Sequence, residues 1–263
     1  MIDLSNESII HVKSGDIEYL QFRRLLQYSD KITHCYSLKG NGNDYKDFID
    51  DNYKDLCDEL RLDFSKFKRI EHQIHGNKVD VVDDLNKIYT ESDGLVTDIK
   101  GASLSLRFAD CTSIFLYDPV KNVIGNVHSG WKGTVQKIAI NGVKKMVEKY
   151  GCNPKDIIAC IGPAIGKCHF EVSEDVKEIF KDTFSYLLEE NDFIFKGDIK
   201  EGVQRYFIDT NIINVRLLEE AGIDKNNIVE SNICTVCNCN LMHSYRVDKD
   251  NAGRNTSIIG LRS

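Results

Sequence analysis

The stretch TSIFLYDPVKNVIGNVH (112–128) decides the fold, because two β-rich runs flank a short Pro-Val-Lys loop. This pattern predicts an antiparallel hairpin. If Asp118 pairs with Asn122, His128 lies opposite Thr112, next to Cys111. A shift of one residue in register changes the face on which a side chain lies, but leaves it at the same end of the hairpin. We therefore expect Cys111 and His128 to be neighbours.

Further β-rich and amphipathic segments surround this hairpin. We expect strands at 8–12, 31–38, 103–108, 156–162, 227–233 and 256–261, a second hairpin from 67–75 and 78–82, and helices at 44–62, 134–150, about 173–180 and 209–222. Because hairpins are mixed with helices, the predicted fold class is α+β, or mixed α/β, with largely antiparallel sheets and not a doubly wound parallel sheet. The chain has no long-period repeat or linker-like segment, so we expect a single domain over residues 1–263.

The composition is typical of a globular protein and argues against several functions. The chain has 263 residues, 41% of them hydrophobic and 29% charged, which is enough for a sizeable core. No segment approaches the ~18 apolar residues of a membrane helix. The net charge, 34 basic minus 41 acidic residues or −7, argues against a nucleic-acid partner. No G-x-G-x-x-G or P-loop motif supports a dinucleotide or nucleoside triphosphate site.

The nine cysteines have irregular spacing, and their number is odd. The N-terminal residues MIDLSNESIIHVKSGD lack the basic and apolar regions of a secretion signal, so we expect a cytoplasmic protein. A reducing compartment favours free thiols over a disulfide framework. Some of these thiols are therefore candidates for metal binding or reactivity.

Three residues at predicted strand ends carry groups that bind zinc. His75, Cys111 and His128 offer two imidazoles and a thiolate, and three protein ligands with an open fourth position are typical of a catalytic zinc site. Their spacing matches no zinc-finger pattern, and a histidine at a strand end is often only a polar residue of the surface or core. A Cys–His nucleophilic pair without metal is a further alternative.

A series of motifs follows in order through most of the chain. The motifs are QIHGNKV (73–79), SDGLVTD (92–98), FADCTSIFLYDP (108–119), GNVHSGWKGT (125–134), CIGPAIGKCHFEV (160–172), CTVCN (234–238), HSYRVDK (243–249) and AGRNTSIIGL (252–261). Together they resemble the laccase-domain family, also called the multicopper polyphenol oxidase or YfiH/YlmD family. The resemblance implies a layered α/β/β/α fold. It also implies a mononuclear Zn²⁺ site formed by His75, Cys111 and His128, with copper as the alternative metal.

The resemblance also implies a function. Family members are associated with phosphorolysis of purine nucleosides such as adenosine, inosine and methylthioadenosine, and with adenosine deamination. We therefore expect a zinc-dependent purine nucleoside phosphorylase with accompanying deaminase activity, whose partners are a purine nucleoside and phosphate and not a membrane. The alternatives are a copper-dependent polyphenol oxidase, a hydrolase that corrects peptidoglycan precursors, and a non-enzymatic zinc-stabilised binding module.

Phosphorolysis needs cations that hold phosphate, and arginine is well suited to this because it donates several hydrogen bonds in a fixed geometry. The candidates are Lys39, Arg107, Arg246 and Arg254, each of which is otherwise a surface or ion-paired cation. Two departures from the family pattern bear on this set. Lys39 stands where many members have an arginine, and Val247 replaces an arginine of the commoner S-Y-R-R-D sequence.

Two carboxylates complete the predicted catalytic set with Cys111 and His128. Asp110 and Glu171 are candidates for a proton carrier, or for a partner that orients a histidine. The alternative is that Asp110 only forms a turn and that Glu171 is a hydrogen-bonded loop residue.

A second group of cysteines has metal-like spacing. Cys234, Cys237 and Cys239 lie close to His243, but no second C-x-x-C is present, and these residues are otherwise reduced thiols of a core or loop. The remaining cysteines are expected to be ordinary thiols, and they are Cys35, Cys57, Cys152, Cys160 and Cys168.

Overall fold

The computed structural model describes residues 2–40 and 42–263. Its strands are β1 (Ile9–Ser14), β2 (Ile17–Phe22), β3 (Ile32–Ser37), β4 (Phe67–Arg69), β5 (Asp80–Val81), β6 (Gly94–Thr97), β7 (Ser103–Phe108), β8 (Thr112–Asp118), β9 (Val123–Ser129), β10 (Ile158–Ile161), β11 (Glu171–Val172), β12 (Ile194–Lys200), β13 (Val203–Ile208), β14 (Ile228–Glu230) and β15 (Asn255–Leu261). Its α-helices are α1 (Arg23–Leu26), α2 (Asp50–Glu59), α3 (Trp131–Val135), α4 (Ile138–Tyr150), α5 (Glu174–Phe184), α6 (Glu190–Phe193), α7 (Thr210–Glu220) and α8 (Tyr245–Asp248).

Two six-stranded sheets pack face to face. Their strand orders are β1-β2-β3-β15-β7-β4 and β14-β10-β8-β9-β6-β5. Leu106 and Ile259 of the first sheet share one apolar core with Phe115 of the second. A smaller sheet, β11-β13-β12, lies against α5. The strands β4–β7, β5–β6 and β10–β14 pair in parallel, while the other strand pairs of the described residues are antiparallel.

Helices cover the outer faces of the two large sheets. Tyr53 and Leu56 of α2 pack on Ile258 of the first sheet, while α4 and α7 pack on the second. The layers therefore follow the order α/β/β/α, which confirms the predicted mixed α/β class. The central strands β8 and β9 are buried along their whole length, and burial on both faces explains their nearly continuous apolar sequence.

The hairpin β8–β9 forms as predicted, but its register differs by one residue. Asp118 pairs with Val123 and not with Asn122, so His128 lies opposite Ser113. The loop is one residue longer than predicted because Asn122 adopts a left-handed conformation with φ 56°. Asn tolerates this conformation better than most residues. The residues at the open end of the hairpin still lie side by side.

The predicted second hairpin at 67–82 is wrong. β4 joins the first sheet through β7, whereas β5 joins the second sheet through β6. The Gly76-Asn77 turn between them is not closed by strand pairing. Instead, the carboxylate of Asp93 accepts hydrogen bonds from the backbone amides of Ile74, His75 and Gly76.

The predicted helices exist with different bounds. α2 begins at Asp50 and not at 44, since Phe48 has φ 54°, a conformation that a right-handed helix excludes. The predicted helix 134–150 is divided into α3 and α4 at Lys137, where φ is 59°. Asp209 caps α7 by accepting hydrogen bonds from two backbone amides of the first turn. In the described ranges, every helix is too short or too polar to cross a bilayer.

Candidate metal centre and cationic cavity

Three ligand side chains converge at the open end of the β8–β9 hairpin. His75 lies in the turn between β4 and β5, Cys111 immediately precedes β8, and His128 is the penultimate residue of β9. One ligand atom from each lies within 4.8 Å of the other two. His128 is buried, Cys111 is half-buried and His75 is exposed. We call these residues the three-donor cluster.

A buried aspartate orients two of these ligands. Asp93 Oδ1 lies 2.8 Å from His128 Nδ1 and accepts a hydrogen bond of 3.0 Å from the amide of His75. Since Nδ1 of His128 is engaged, its Nε2 is the nitrogen that is available as a ligand. A carboxylate behind a histidine is a recurrent feature of metal sites, because it fixes the ring and raises its basicity.

The electrostatics of the cluster favour the thiolate form of Cys111. Burial alone raises the pKa of this thiol. His128 and His75 lower the pKa by a larger amount, so the net shift is downward. The pKa of His128 is raised in turn, since Cys111 and Asp93 outweigh the effect of burial. A deprotonated thiol is the form that binds metal ions.

The backbone around the cluster is shaped to keep space beside the donors. A Cβ atom on Gly130 would lie 2.9 Å from His75 Cδ2 and 3.3 Å from Cys111 Sγ. His75 and Asp110 both have positive φ, 58° and 84°, a conformation that is costly for residues other than glycine. Two imidazoles and a thiolate with such a space between them fit a zinc ion.

The cluster opens into a cavity of about 720 Å³. This volume is in the range of sites for small molecules. The described residues that line it are Lys46, His72, Gln73, His75, Arg107, Ala109, Asp110, Cys111, Thr112, His128, Ser129, Trp131, Ile165, Phe170, Thr210, Tyr245, Arg246, Lys249 and Arg254. Cations therefore outnumber carboxylates, since Asp110 is the sole carboxylate among these residues.

Three predicted cations, Arg107, Arg246 and Arg254, lie in the wall of this cavity. Their hydrogen bonds go to backbone carbonyl groups, among them Lys46 for Arg107 and His169 for Arg246. In the described ranges, the arginines that form ion pairs are Arg69, Arg205 and Arg216. Within residues 2–40 and 42–263, none of the three cavity arginines thus forms an ion pair with a carboxylate, and we call the space that they line the cationic cavity.

Mutual repulsion is visible at one of these arginines. Burial lowers the pKa of Arg107, and the positive charges of Arg254 and Arg69 add to this effect, while Tyr53 and Glu71 oppose it. The Arg107 guanidinium also lies 3.6 Å from the centre of the Phe48 ring. A bound anion would relieve the repulsion between the two guanidinium groups.

The structure does not bring two of the predicted site residues to the cavity. Lys39 donates a hydrogen bond of 2.7 Å to the carbonyl of Cys239 and lies 3.9 Å from Asp248. Glu171 pairs with Lys200 in the small sheet. Both side chains lie outside the set of residues that lines the cavity.

Asp110 reaches the cavity, but its carboxylate is already engaged. Oδ1 accepts a hydrogen bond of 2.6 Å from Thr235 Oγ1, and Oδ2 accepts hydrogen bonds from Ser244 Oγ and the amide of Arg246. Asp110 contacts neither histidine through these bonds. It joins the turn before Cys111 to the C-terminal segment.

Sequence reasoning missed Asp93 as a site residue. Asp93 lies in the motif S-D-G directly before β6, and it is fully buried. An aspartate is almost never fully buried without a partner, so burial is the signal that would have identified it. Burial is not visible in a single sequence, and the residue that it supports, His128, is distant along the chain.

The chain is similar to proteins of one family over nearly its whole length. The profile of the family described as "Multi-copper polyphenol oxidoreductase laccase" matches residues 19–262. Among curated relatives, "Purine nucleoside phosphorylase CA_C1699" of Clostridium acetobutylicum is 30% identical over 256 residues, which cover 95% of this chain and 99% of the relative. "Purine nucleoside phosphorylase YlmD" of Bacillus subtilis is 37% identical over 171 residues, 65% of this chain and 59% of the relative.

Some relatives are longer than the matched region. The chain spans about half the length of the mouse and human proteins named "Purine nucleoside phosphorylase LACC1". Among solved structures, the YfiH protein of Bacillus licheniformis has a TM-score of 0.82 and 28% identity, with 96% of this chain and 99% of that chain covered. YlmD of Geobacillus stearothermophilus has a TM-score of 0.80 with 24% identity, over 97% and 100% of the two chains, and shares the fold.

Proposed function

The chain belongs to the multi-copper polyphenol oxidoreductase laccase family, and on this premise we propose that it is a purine nucleoside phosphorylase. The names of its relatives support this class of enzyme. The observation that carries the proposal is the cationic cavity, in which three arginines without carboxylate partners in the described ranges share one space with the three-donor cluster. We propose adenosine, inosine and methylthioadenosine as substrates, and the cytoplasm as the compartment.

In this proposal, the arginines hold the phosphate. Guanidinium groups bind phosphate oxygens through pairs of charged hydrogen bonds. The backbone carbonyls that accept from Arg246 and Arg254 fix these side chains before the substrate arrives, so little ordering is left to the binding step. A phosphate oxygen then forms a bond to C1′ of the ribose while the bond from C1′ to the base nitrogen breaks. The departing purine takes the bonding electron pair and is protonated, which gives the free base and ribose 1-phosphate.

The aromatic residues of the cavity suit a purine ring. Trp131 and Phe170 line the cavity beside Ile165, while Tyr245 is exposed at its surface. Aromatic side chains bind a flat heterocycle by stacking, at about 1–3 kcal/mol per base. The ring of Trp131 also packs near Phe180, with centroids 6.4 Å apart, so its position is fixed by the core.

His75, Cys111 and His128 would hold the metal ion, which we propose to be Zn²⁺. When bound, it would supply Lewis acidity at an open coordination position. Asp93 holds His128 in the tautomer that leaves Nε2 available. The exposure of His75 leaves this side of the cluster accessible from the cavity. Three donors favour an active site over the alternative of a closed, zinc-stabilised binding module, which would have four.

We propose that Asp110 acts as a positioning residue and not as a proton carrier. Its two oxygens accept three hydrogen bonds, one of which holds the backbone of Arg246. Glu171 lies outside the cavity lining, where Lys200 and Arg205 are its partners. We therefore assign the direct contacts with substrate to the arginines and the three-donor cluster.

Adenosine deamination is the second activity that we propose for the same cavity. It needs a nucleophilic water at C6 of the purine and no phosphate, so the two activities differ in their cosubstrate. Polyphenol oxidation by four-electron reduction of O₂ requires several coppers, and the three-donor cluster suits one metal ion. Several coppers per chain in metal analysis would therefore support the oxidase instead.

The direct test is phosphate-dependent release of hypoxanthine from inosine by the zinc-loaded protein. We expect release that is lost in Cys111→Ala and in His128→Ala. Cys239→Ala is the matched control, because Cys239 is a half-buried cysteine outside the three-donor cluster. Adenosine supplied without phosphate tests the deaminase through the release of ammonia.

Two outcomes would contradict the proposal. The first is that the folded, zinc-loaded protein releases no base from any of the three nucleosides in the presence of phosphate. The second is that release continues unchanged in both cluster variants, because the cavity would then not be the site. Release of muropeptide fragments from cell-wall precursors, without nucleoside cleavage, would favour the hydrolase.

A further inference from the structure

A second group of metal-binding side chains lies outside the cationic cavity. Cys168 and His169 belong to the loop after β10, and Cys234 and Cys237 belong to the turn after β14. One donor atom of each lies within 4.8 Å of the others. We call these residues the four-donor cluster. Cys168, expected to be an ordinary thiol, is thus part of it.

The cluster differs from the one that the C-terminal sequence suggests. His243, which is close to the cysteines in sequence, is engaged elsewhere, since its Nε2 lies 2.8 Å from the carbonyl of Asn43. Cys239 is likewise outside the cluster, and Cys168 and His169 supply the other two donors. The two halves of the cluster are therefore separated by more than sixty residues of sequence.

The distances between the donors match a zinc tetrahedron. With Zn–S of about 2.3 Å and Zn–N of about 2.0–2.1 Å, a regular tetrahedron has edges of about 3.8 Å between sulfurs and about 3.6 Å between sulfur and nitrogen. Cys168 Sγ and Cys237 Sγ are 3.7 Å apart. His169 Nδ1 lies 3.2 Å from Cys168 Sγ, 3.7 Å from Cys234 Sγ and 3.5 Å from Cys237 Sγ. A disulfide, by contrast, has sulfurs about 2.05 Å apart.

The backbone holds the two halves together. Ala164 and Cys234 form an isolated parallel bridge, in which the Thr235 amide donates to the Ala164 carbonyl at 3.0 Å. The Cys234 sulfur accepts hydrogen bonds from the amides of Gly166, at 3.3 Å, and Cys237. The position at Gly166 is also close-packed, because a Cβ there would lie 3.3 Å from Cys168 Sγ.

We propose that Cys168, His169, Cys234 and Cys237 bind a structural Zn²⁺ ion. Three thiolates and one imidazole in tetrahedral arrangement suit zinc better than the hard cations Mg²⁺ and Ca²⁺, which prefer oxygen ligands. Four protein donors leave no open coordination position, so the role is structural. Cys168 and Cys237 are exposed, which gives the ion a route from solvent.

The ion would join a loop that lines the cationic cavity to a segment that holds Asp110, another lining residue. The loop with Cys168 also carries Ile165 and Phe170, which line the cavity, and the carbonyl of His169, which accepts from Arg246. The segment with Cys234 carries Thr235, whose hydroxyl donates to Asp110. Zinc at this position would therefore fix the wall of the cavity without contacting substrate.

The test uses the full chain with the Cys111→Ser substitution, which removes a donor from the three-donor cluster, so that bound zinc reports on the four-donor cluster. After dialysis under reducing conditions, we expect about one zinc per chain by elemental analysis. Zinc should be lost in Cys111→Ser/Cys237→Ser and retained in Cys111→Ser/Cys239→Ser. Cys239 is the matched control because it lies two residues after Cys237 but outside the cluster.

Zinc X-ray absorption on the Cys111→Ser variant decides the question even if the double variant fails to fold. We expect a shell of three sulfurs and one nitrogen. A folded, reduced Cys111→Ser protein that retains no zinc after loading would overturn the proposal. A zinc shell poor in sulfur would also overturn it, as would a disulfide between Cys168 and Cys237 that persists in the reduced protein.

Discussion

The substitution Asp93→Asn tests whether Asp93 organises the three-donor cluster. Oδ1 of Asp93 faces His128 Nδ1 and the His75 amide, while Oδ2 accepts from the amides of Gly76 and Ile74. Asparagine keeps the shape but replaces one acceptor oxygen with a donor group, so two of the four donors lose their acceptor. A buried donor without a partner costs about 1–3 kcal/mol. Two such donors give an expected loss of about 2–6 kcal/mol in the free energy of unfolding.

In Asp93→Asn, the zinc affinity of the three-donor cluster should report the loss of the carboxylate more specifically than the free energy of unfolding does. Removing a carboxylate behind a metal-binding histidine typically weakens metal affinity by about 10–100-fold. The hydrogen bond and charge of His128 hold the pKa of Asp93 below its usual value despite burial, so the carboxylate is ionised and supports the ring. We therefore expect the zinc affinity of the three-donor cluster to fall by this factor in Asp93→Asn.

The assay is competition for zinc with a chromogenic chelator, carried out in a Cys237→Ser background so that the three-donor cluster is measured alone. Asp118→Asn is the matched control. Asp118 is also buried and accepts from the amides of Val120 and Lys121, but it lies at the opposite end of the hairpin. Equal affinity in Asp93→Asn and the parent would refute the reasoning, as would an equal loss in Asp118→Asn.

Three further predictions concern other parts of the molecule. Gly130→Ala places a methyl group 2.9 Å from the ring of His75, so zinc should be lost from the three-donor cluster while the circular dichroism spectrum stays native. Gly76→Ala is the control, because a methyl group there has no contact nearer than 3.4 Å. Arg246→Ala should raise KM for phosphate by about tenfold or more and change KM for the nucleoside little, since a charged hydrogen bond contributes about 1.5–3 kcal/mol. Steady-state kinetics measures both constants, with Arg216→Ala as the control. An equal rise of the two constants in Arg246→Ala would contradict the prediction. Burial lowers the pKa of His34 from 6.5 to about 3, so unfolding takes up a proton between these two pH values. The free energy of unfolding therefore falls as the pH decreases from 6.5 to about 3, by up to about 1.4 kcal/mol per pH unit. Urea titrations at several pH values should show a shallower dependence of this free energy on pH for His34→Gln.

Local sequence patterns predicted those features that depend on neighbours along the chain. The hairpin of β8 and β9 forms, and Cys111 and His128 are neighbours as predicted, despite a register error of one residue. The prediction was robust because both residues lie at one end of the hairpin, whatever the pairing. The Asp209 cap and the stop of α4 at Gly151, with φ 64°, also follow from local chemistry.

Features that depend on distant partners were missed. The pattern around Gly76-Asn77 is that of a hairpin turn, but Asp93 satisfies the amides of this turn and so frees the flanking strands to join different sheets. The start of α2 was misplaced for the same reason. The carboxylate of Asp44 accepts from the amides of Lys46 and Arg254, which holds the preceding segment in a non-helical form.

The two proposed metal sites would divide the cysteines of one chain between chemistry and architecture. The three-donor cluster opens into a cavity, whereas the four-donor cluster has enough ligands to enclose an ion. Their loops are linked, because Asp110 next to Cys111 accepts from Thr235 next to Cys234, and the Ile165 amide donates to the Asp110 carbonyl at 2.8 Å. The turn before Cys111 is thus held by the segments that the structural zinc would join. Loss of that ion should therefore loosen the cavity wall first, while the strands of the β-sheet core, which contain none of the four donors, keep their stability.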